Sequence, residues 1–389
     1  MNTPQKTQFS RMSINVLMLV SIVLIVILYE PAAKYAHEPL PSAPVLNAKI
    51  WLSDSGSQVW FHPMLSDTIE IQFWFKAGFG HDGVHKGRAH LLAQLLKYES
   101  TQRKLPLEVS LDQDFIKVAL HLSKSAHSLK QQIDQTVALL HHPTLSPKLL
   151  KKLRSANLGL SQDLRLEAYG EHAYAGPRQG TTQTLNGISR ADLQKYHHQY
   201  FHPKRLVASI VGDLNERSAA IIMETLLPSS PYTQALDFPL TSLKSNYASQ
   251  GEMAVLVKPG LNNLHSEKQQ VRLVKDYLLM QVLHTLQPSQ SKWVTGISNN
   301  TLYLQQLAQF RQNMRDDPDW DMILRAKRQL ASQWLQQVEE APALSRFLVH
   351  LNAYNLPVNH MNQNLKHLQA ITMNAWQQYY QTQLNELSL

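Results

Sequence analysis

The sequence predicts an α+β protein of two lobes, each a sheet covered by helices, preceded by an N-terminal transmembrane helix. Three observations predict it. Stretches of alternating apolarity give way to stretches of helical period in two successive rounds. A Pro/Ser-rich joint, PSSPYTQALDFPLTS from Pro228, separates the rounds. One almost wholly apolar run precedes both. Length agrees, since 389 residues leave room for two domains at roughly 150 residues each. With 43% apolar and 17% charged side chains, the composition excludes a disordered chain, a collagen and a polytopic membrane protein.

The apolar run, Ile14 to Tyr29, reads INVLMLVSIVLIVILY. Taken from Met12, residues 12–29 as a helix span roughly 27 Å, enough for a hydrocarbon core. Lys6 and Arg11 precede the run and no acid comes before Glu30, so the N-terminus is expected in the cytoplasm and residues 31–389 across the membrane. A cleaved signal peptide is the competing reading. The run exceeds a usual h-region, however, and EPAAKYAHE offers no clean A-x-A pair. The expected layout is a cytoplasmic tip and anchor at 1–30, a tether at 31–46 and an N-terminal lobe at 47–228. A linker at 229–250 and a shortened C-terminal lobe at 251–389 complete it. This describes a single-pass inner-membrane protein with a periplasmic bulk.

From Leu46, IWLSDSGSQVWFHP and TIEIQFWFKAG alternate like paired strands with a turn between them. GRAHLLAQLLKY follows as a helix with Leu91, Leu92, Leu95 and Leu96 on one face. FIKVALHLS reads as a strand and SLKQQIDQTVALLHH as an amphipathic helix. Further helices are expected at Pro147 to Glu167 and Arg190 to Tyr200, the latter with Ser189 as N-cap and Pro203 as stop. LVASIVGDL reads as a buried strand. Beyond the joint come a strand at MAVLVKP, a helix near Lys268 to Gln287 and a strand around Lys292 to Tyr303. Three or four helices follow from Asp319, the last capped by Thr372.

Cysteine is absent, so no disulfide, thiolate metal site or cysteine nucleophile can exist, and the chain suits an oxidising compartment. The formal charge is +8, but the cations are scattered and form no arm for nucleic acid, which is not expected as a partner.

The segment that carries chemistry is His90-Leu91-Leu92-Ala93-Gln94. Residues four apart share a helix face, so two histidines so spaced can grip one zinc ion. A glutamate between them, at the fourth position, can take a proton from metal-bound water, the H-x-x-E-H pattern. Here Ala93 stands at the glutamate position and Gln94 at the second histidine position.

The surroundings of that segment, FWFKAGFGHDGVHKGRAHLLAQLL, closely resemble the M16 (insulinase, pitrilysin, processing-peptidase) family of zinc metallopeptidases. So do EAYGEHAYAGPRQGTTQTLNGISRADLQKYHHQYFHPKRLVASIVGDL and, near the C-terminus, ILRAKRQLASQWLQQVEEAPALSRFLVHLNAYNLPV with LQAITMNAWQQYY. The resemblance covers nearly all of residues 47–389 and implies LuxS/MPP-like lobes. Active relatives hold zinc, but the resemblance transfers only one ligand, His90. The family's third ligand, a glutamate on the next long helix, falls between Pro147 and Leu160, a stretch without a carboxylate. The second lobe's substrate-holding arginine and tyrosine find no match in SKWVTGISNNTLYLQQL.

The resemblance therefore implies an inactive homologue with a degenerate site at Ala93 and Gln94, a relic His90, no catalytic residues and no cofactor. Family precedent implies a heterodimer with an active M16 peptidase, in which the silent member helps bind peptide. The alternatives are an active zinc endopeptidase with an atypical site, or a membrane-tethered scaffold. Among the other histidines, His81 and His85 are expected in a turn and Glu171-His172 in a surface turn. His198 and His202 are expected to share a helix face near its C-terminus.

Overall fold

Runs rich in β-branched and aromatic residues build a six-stranded sheet that is buried on both faces. The computed structural model describes residues 39–124, 126–155, 164–227, 246–250, 253–259, 266–286, 291–294, 299–304 and 319–386. The expected anchor at 12–29 lies outside them, as do residues 228–245 of the joint. Among the described residues, no helix is long and apolar enough to cross a membrane.

The strands are β1 (Lys49–Leu52), β2 (Gln58–Pro63), β3 (Thr68–Phe75), β4 (Leu107–Leu111), β5 (Ile116–Ser123) and β6 (Leu206–Gly212). Their order is β1-β2-β6-β3-β5-β4. The first two alternating segments are thus not paired with each other. β6 arrives from far along the chain and inserts between them, parallel to β2 and antiparallel to β3. Alternation specifies which side chain faces which layer but says nothing about the neighbouring strand.

Register assigns each face its chemistry. Ile69, Ile71, Phe73 and Phe75 of β3 pair with Leu122, Leu120, Val118 and Ile116 of β5, making one face apolar throughout. That face is covered by α1 (Arg88–Gln102), α2 (Ala126–His141), α6 (Arg190–Tyr200) and α7 (Glu216–Leu226). Between α2 and α6 run α3 (Pro147–Ser155), α4 (Leu164–Tyr169) and α5 (Thr182–Gly187). The helix expected over Pro147 to Glu167 is thus described as two pieces, with residues 156–163 outside the described set.

The opposite face carries Glu70, Gln72 and Trp74 of β3 against His121, Ala119 and Lys117 of β5. Part of it is buried by C-terminal helices: α8 (Glu267–Leu286), α9 (Trp320–Gln336), α10 (Ala341–Ala353), α11 (His360–Ala370) and α12 (Met373–Glu386). α10 lies directly on β3 and β6. Polar groups there are stitched across: Asn352 Nδ2 donates to the Gln58 and Ala208 carbonyls at 3.0 and 3.3 Å. Ser209 Oγ donates to the Ser345 carbonyl at 2.7 Å. Residues 39–46 of the expected tether dock on these helices, the Leu40 and Ala43 amides donating to the Gln369 and Asn362 side chains.

A second, antiparallel sheet has the order β7-β8-β10-β9, with β7 (Asn246–Gln250), β8 (Met253–Pro259), β9 (Ser291–Val294) and β10 (Asn299–Leu304). The strand expected around 292–303 is this β9–β10 hairpin. Ala248, Val255 and Val257 cluster with Leu164, Ala168, Tyr169 and Tyr174, so the small sheet leans on the turn after α4. The whole is an α+β fold whose main sheet is covered by helices.

Candidate functional site

α1 is placed by the turn that precedes it. β3 ends at Phe75, a 3₁₀ turn covers Phe79–His81, and the chain enters α1 through Gly87 at φ 101°. Gly87 offers no side-chain cap. The Asp82 carboxylate supplies the missing acceptors, taking the Gly87 amide on Oδ2 at 2.7 Å and the Ala89 amide on Oδ1 at 2.8 Å. Burial pushes the Asp82 carboxyl up to about 7, against those two amides and the Lys86 and Arg88 charges, which pull it down.

The two long motifs meet at this entry. A Cβ on Gly87 would stand 2.6 Å from Leu185 Cδ2 and 2.8 Å from the Gln179 carbonyl, and one on Gly180 would stand 2.5 Å from the Lys86 carbonyl. Lys86 Nζ donates to the Ala173 carbonyl at 3.0 Å. From the other side, α6 holds the turn through Tyr196 and Tyr200, whose hydroxyls donate to the Ala77 and His81 carbonyls at 3.0 and 3.1 Å. Two segments about ninety residues apart in the chain thus close around the start of α1.

On α1, Leu91, Leu92, Leu95 and Leu96 are fully buried toward the sheet. His90 and Gln94, one turn apart, are partly exposed, and Ala93 between them is buried. Burial, and then the charge of nearby Arg178, hold the His90 imidazole down at about 4, so it is neutral at physiological pH. Arg178 is anchored by its donation to the Leu111 carbonyl at 2.6 Å, at the end of β4. No pattern in the sequence singles it out, because its place beside α1 arises only when the two motifs dock.

The fit of a zinc ion follows from this donor set. His90 can offer one nitrogen. Ala93 has no donor, Gln94 offers a neutral amide, and the nearest named charge is a guanidinium, which repels a cation. A catalytic zinc takes three protein ligands, and among the described residues no group of three histidines or carboxylates stands close enough to hold a metal. The described residues around α1 do not fit the ion.

The remaining histidines are distributed otherwise. His81 closes the 3₁₀ turn and is held at about 4 by burial, with the charges of Arg205 and Lys76 adding to it. His85 is exposed in the following turn. His198 and His202 do not share a helix face: α6 stops at Tyr200, and His202 is extended (φ −123°, ψ 143°) and buried. The residue before a proline is pushed out of the helical region, and Pro203 follows His202. The histidine that is buried on α6 is His197, its Nε2 2.8 Å from the Leu140 carbonyl. His172 stacks on Tyr169 at 5.9 Å.

Comparison with known proteins bears on this arrangement. The family model of the peptidase M16 inactive domain matches residues 187–271. The sequence resemblance to M16 peptidases is supported. The M16-like fold extends over most of the chain. A peptidase M16 inactive domain from Pseudomonas fluorescens superposes with a TM-score of 0.70 at 17% identity, covering 86% of this chain and 94% of that one. The first half of the periplasmic protease PqqL from Escherichia coli gives 0.62 at 13% identity over 90% and 92%. A protease from Helicobacter pylori gives 0.67 at 11% identity over 87% and 96%. At these identities the likeness is one of fold. No curated protein matches the sequence.

Proposed function

We propose that this chain is a non-catalytic M16 homologue that acts as the silent subunit of a heterodimer with an active M16 zinc peptidase. In this reading it supplies chamber wall and peptide-binding surface rather than chemistry. Residues 12–29 hold it in the inner membrane, and residues 47–228 and 251–389 form two lobes in the periplasm. The observation that carries the reading is the face of α1, with His90 kept neutral beside Arg178 and followed by Ala93 and Gln94 where a base and a ligand would be needed. A missing general base alone costs typically 10²–10⁴-fold in rate, and here the metal's donors are missing with it. The match to the inactive-domain family model points the same way, and the similarity to one half of a larger periplasmic protease fits a protein that works beside a second M16 unit.

The test is purification of the tagged chain from its native membrane, with partner identification and metal analysis of the eluate. An M16 chain with an intact H-x-x-E-H is expected to co-purify and to carry the zinc. Stoichiometric zinc on this chain alone, with peptide hydrolysis that disappears in His90→Ala, would overturn the reading.

A further inference from the structure

A cavity of about 490 Å³ lies on the face of the main sheet away from His90, between β3, β5 and helices α8 to α11. Its floor is Trp74 with Lys117, cross-strand partners whose ammonium sits 3.8 Å from the indole centroid. Tyr277 and Trp334, with ring centroids 6.1 Å apart, form one wall, and His350 and Arg346 of α10 form another. The volume is that of a small-molecule pocket, and aromatic walls with a few polar groups are the usual make-up of one.

Two features specify what it takes. No carboxylate is among its lining residues. Asp112, the ion-pair partner of Lys117 at 2.6 Å, is further engaged by the Asp114 and Phe115 amides at 2.9 and 2.7 Å. Arg346, exposed at the rim, makes no ion pair among the described residues. The Trp74 indole N–H is buried away from the cavity, so the residue offers the cavity its ring rather than its donor. Burial first, and then Lys117 and His360, hold His350 at about 3, so its ring is neutral at physiological pH. Aromatic walls and a guanidinium with no ion pair among the described residues call for one ligand chemistry.

We infer that this cavity binds an aromatic ring carrying a carboxylate a few bonds away, either as a free aromatic acid or as the C-terminal residue of a peptide. The ring lies among Trp74, Tyr277 and Trp334, and the carboxylate is drawn to Arg346 and Lys117. This holds whether or not the chain partners a peptidase, because the cavity and the His90 helix are on opposite faces of the sheet.

The test is calorimetric titration of the detergent-solubilised full chain with N-acetyl-phenylalanine, with indole-3-propionate and with a tetrapeptide ending in phenylalanine, each compared with its amide. Saturable binding by at least one acid is expected, weakened about tenfold in its amide, a difference of about 1.4 kcal/mol. Arg346→Gln, at an exposed position that spares the core, should give a similar loss. Ala343→Phe, which fills the cavity, should abolish saturation. Binding of the peptide as well as the free acids assigns the ligand to chain termini; binding of free acids alone assigns it to small molecules. Equal affinity for acid and amide, unchanged binding in Arg346→Gln, or no saturable binding by any of the three acids overturns the inference.

Discussion

His197→Gln separates one buried imidazole from the others that resist protonation. The His197 ring stacks on Phe201 at 4.6 Å and its Nε2 meets the Leu140 carbonyl at 2.8 Å. Burial depresses its pKa most, the Leu140 hydrogen bond works against that, and His198, His141 and His142 add their repulsion, so that it falls from 6.5 to about 4. An unfolded imidazole takes its proton near pH 6.5, so between pH 6.5 and 4 the unfolded chain binds more protons than the folded one. Stability therefore rises with pH across that window, is fully present above 6.5, and is lost as pH falls toward 4. At pH 5 this one side chain should cost the fold about 2 kcal/mol relative to neutral pH. Glutamine keeps an N–H for the Leu140 carbonyl and does not titrate. The assay is urea unfolding of both proteins at pH 7.5 and pH 5.0. The wild type should lose about 2 kcal/mol more than the variant between the two pH values. Subtracting within each protein removes any pH-independent cost of the substitution, and His81, His90 and His360, also held at about 4, contribute equally to both. If the variant loses as much stability on acidification as the wild type, the argument is refuted.

Gly87→Ala should cost about 2–4 kcal/mol in a denaturant titration, combining a left-handed φ with overlap against Leu185 and the Gln179 carbonyl; a change under about 0.5 kcal/mol, the range of a neutral surface substitution, would mean the two motifs are not held at this contact. Asp82→Ala strips the acceptor from two buried amides and should cost a similar 2–4 kcal/mol, with the start of α1 losing hydrogen-exchange protection first. Ala93→Glu with Gln94→His rewrites the zinc pattern on α1 but restores neither a third ligand nor a neutral neighbour in place of Arg178. Metal analysis should find no stoichiometric zinc in that variant, and a tightly bound ion would show that the missing ligand is supplied elsewhere.

How far the sequence reached depended on whether a signal was local. α6 runs from Arg190 to Tyr200 as expected, because Ser189 and Asp192 form a reciprocal cap three residues apart that can be seen in the chain itself. The buried β6 and the leucine face of α1 were likewise visible as an apolar run and a period. The extended His202 was also legible, since Pro203 disfavours helix at the residue before it whatever the i, i+4 spacing to His198. The insertion of β6 between β2 and β3 was not legible, because pairing partners far apart in sequence leave no trace in either strand's alternation. β4 and β7 are legible only weakly for a different reason: each is five residues long, and each pairs with the strand that follows it within a few residues, so brevity rather than remote pairing hides them. In the candidate site, helical register places Ala93 and Gln94 relative to His90, and the resemblance of the flanking segments to M16 peptidases gives those positions their meaning. Arg178 and the Trp74 cavity needed the fold, as each is defined by a neighbour from a remote segment.

What keeps α1 in place does not involve the positions where zinc chemistry would sit. The helix is fixed by four buried leucines, by the Asp82 carboxylate at its start and by the Gly87–Gly180 approach. Ala93 is buried, and an unpaired glutamate there would bear a desolvation cost that alanine escapes. The partly exposed His90 and Gln94 contribute little packing by comparison. A helix held in this way folds without a base or metal ligands at those positions, and alanine in place of a buried carboxylate at 93 spares it one source of instability. Surfaces that meet a partner or a ligand have no such freedom. The polar face behind α10, with its cavity, is therefore where binding specificity should be sought, ahead of the helix that carries His90.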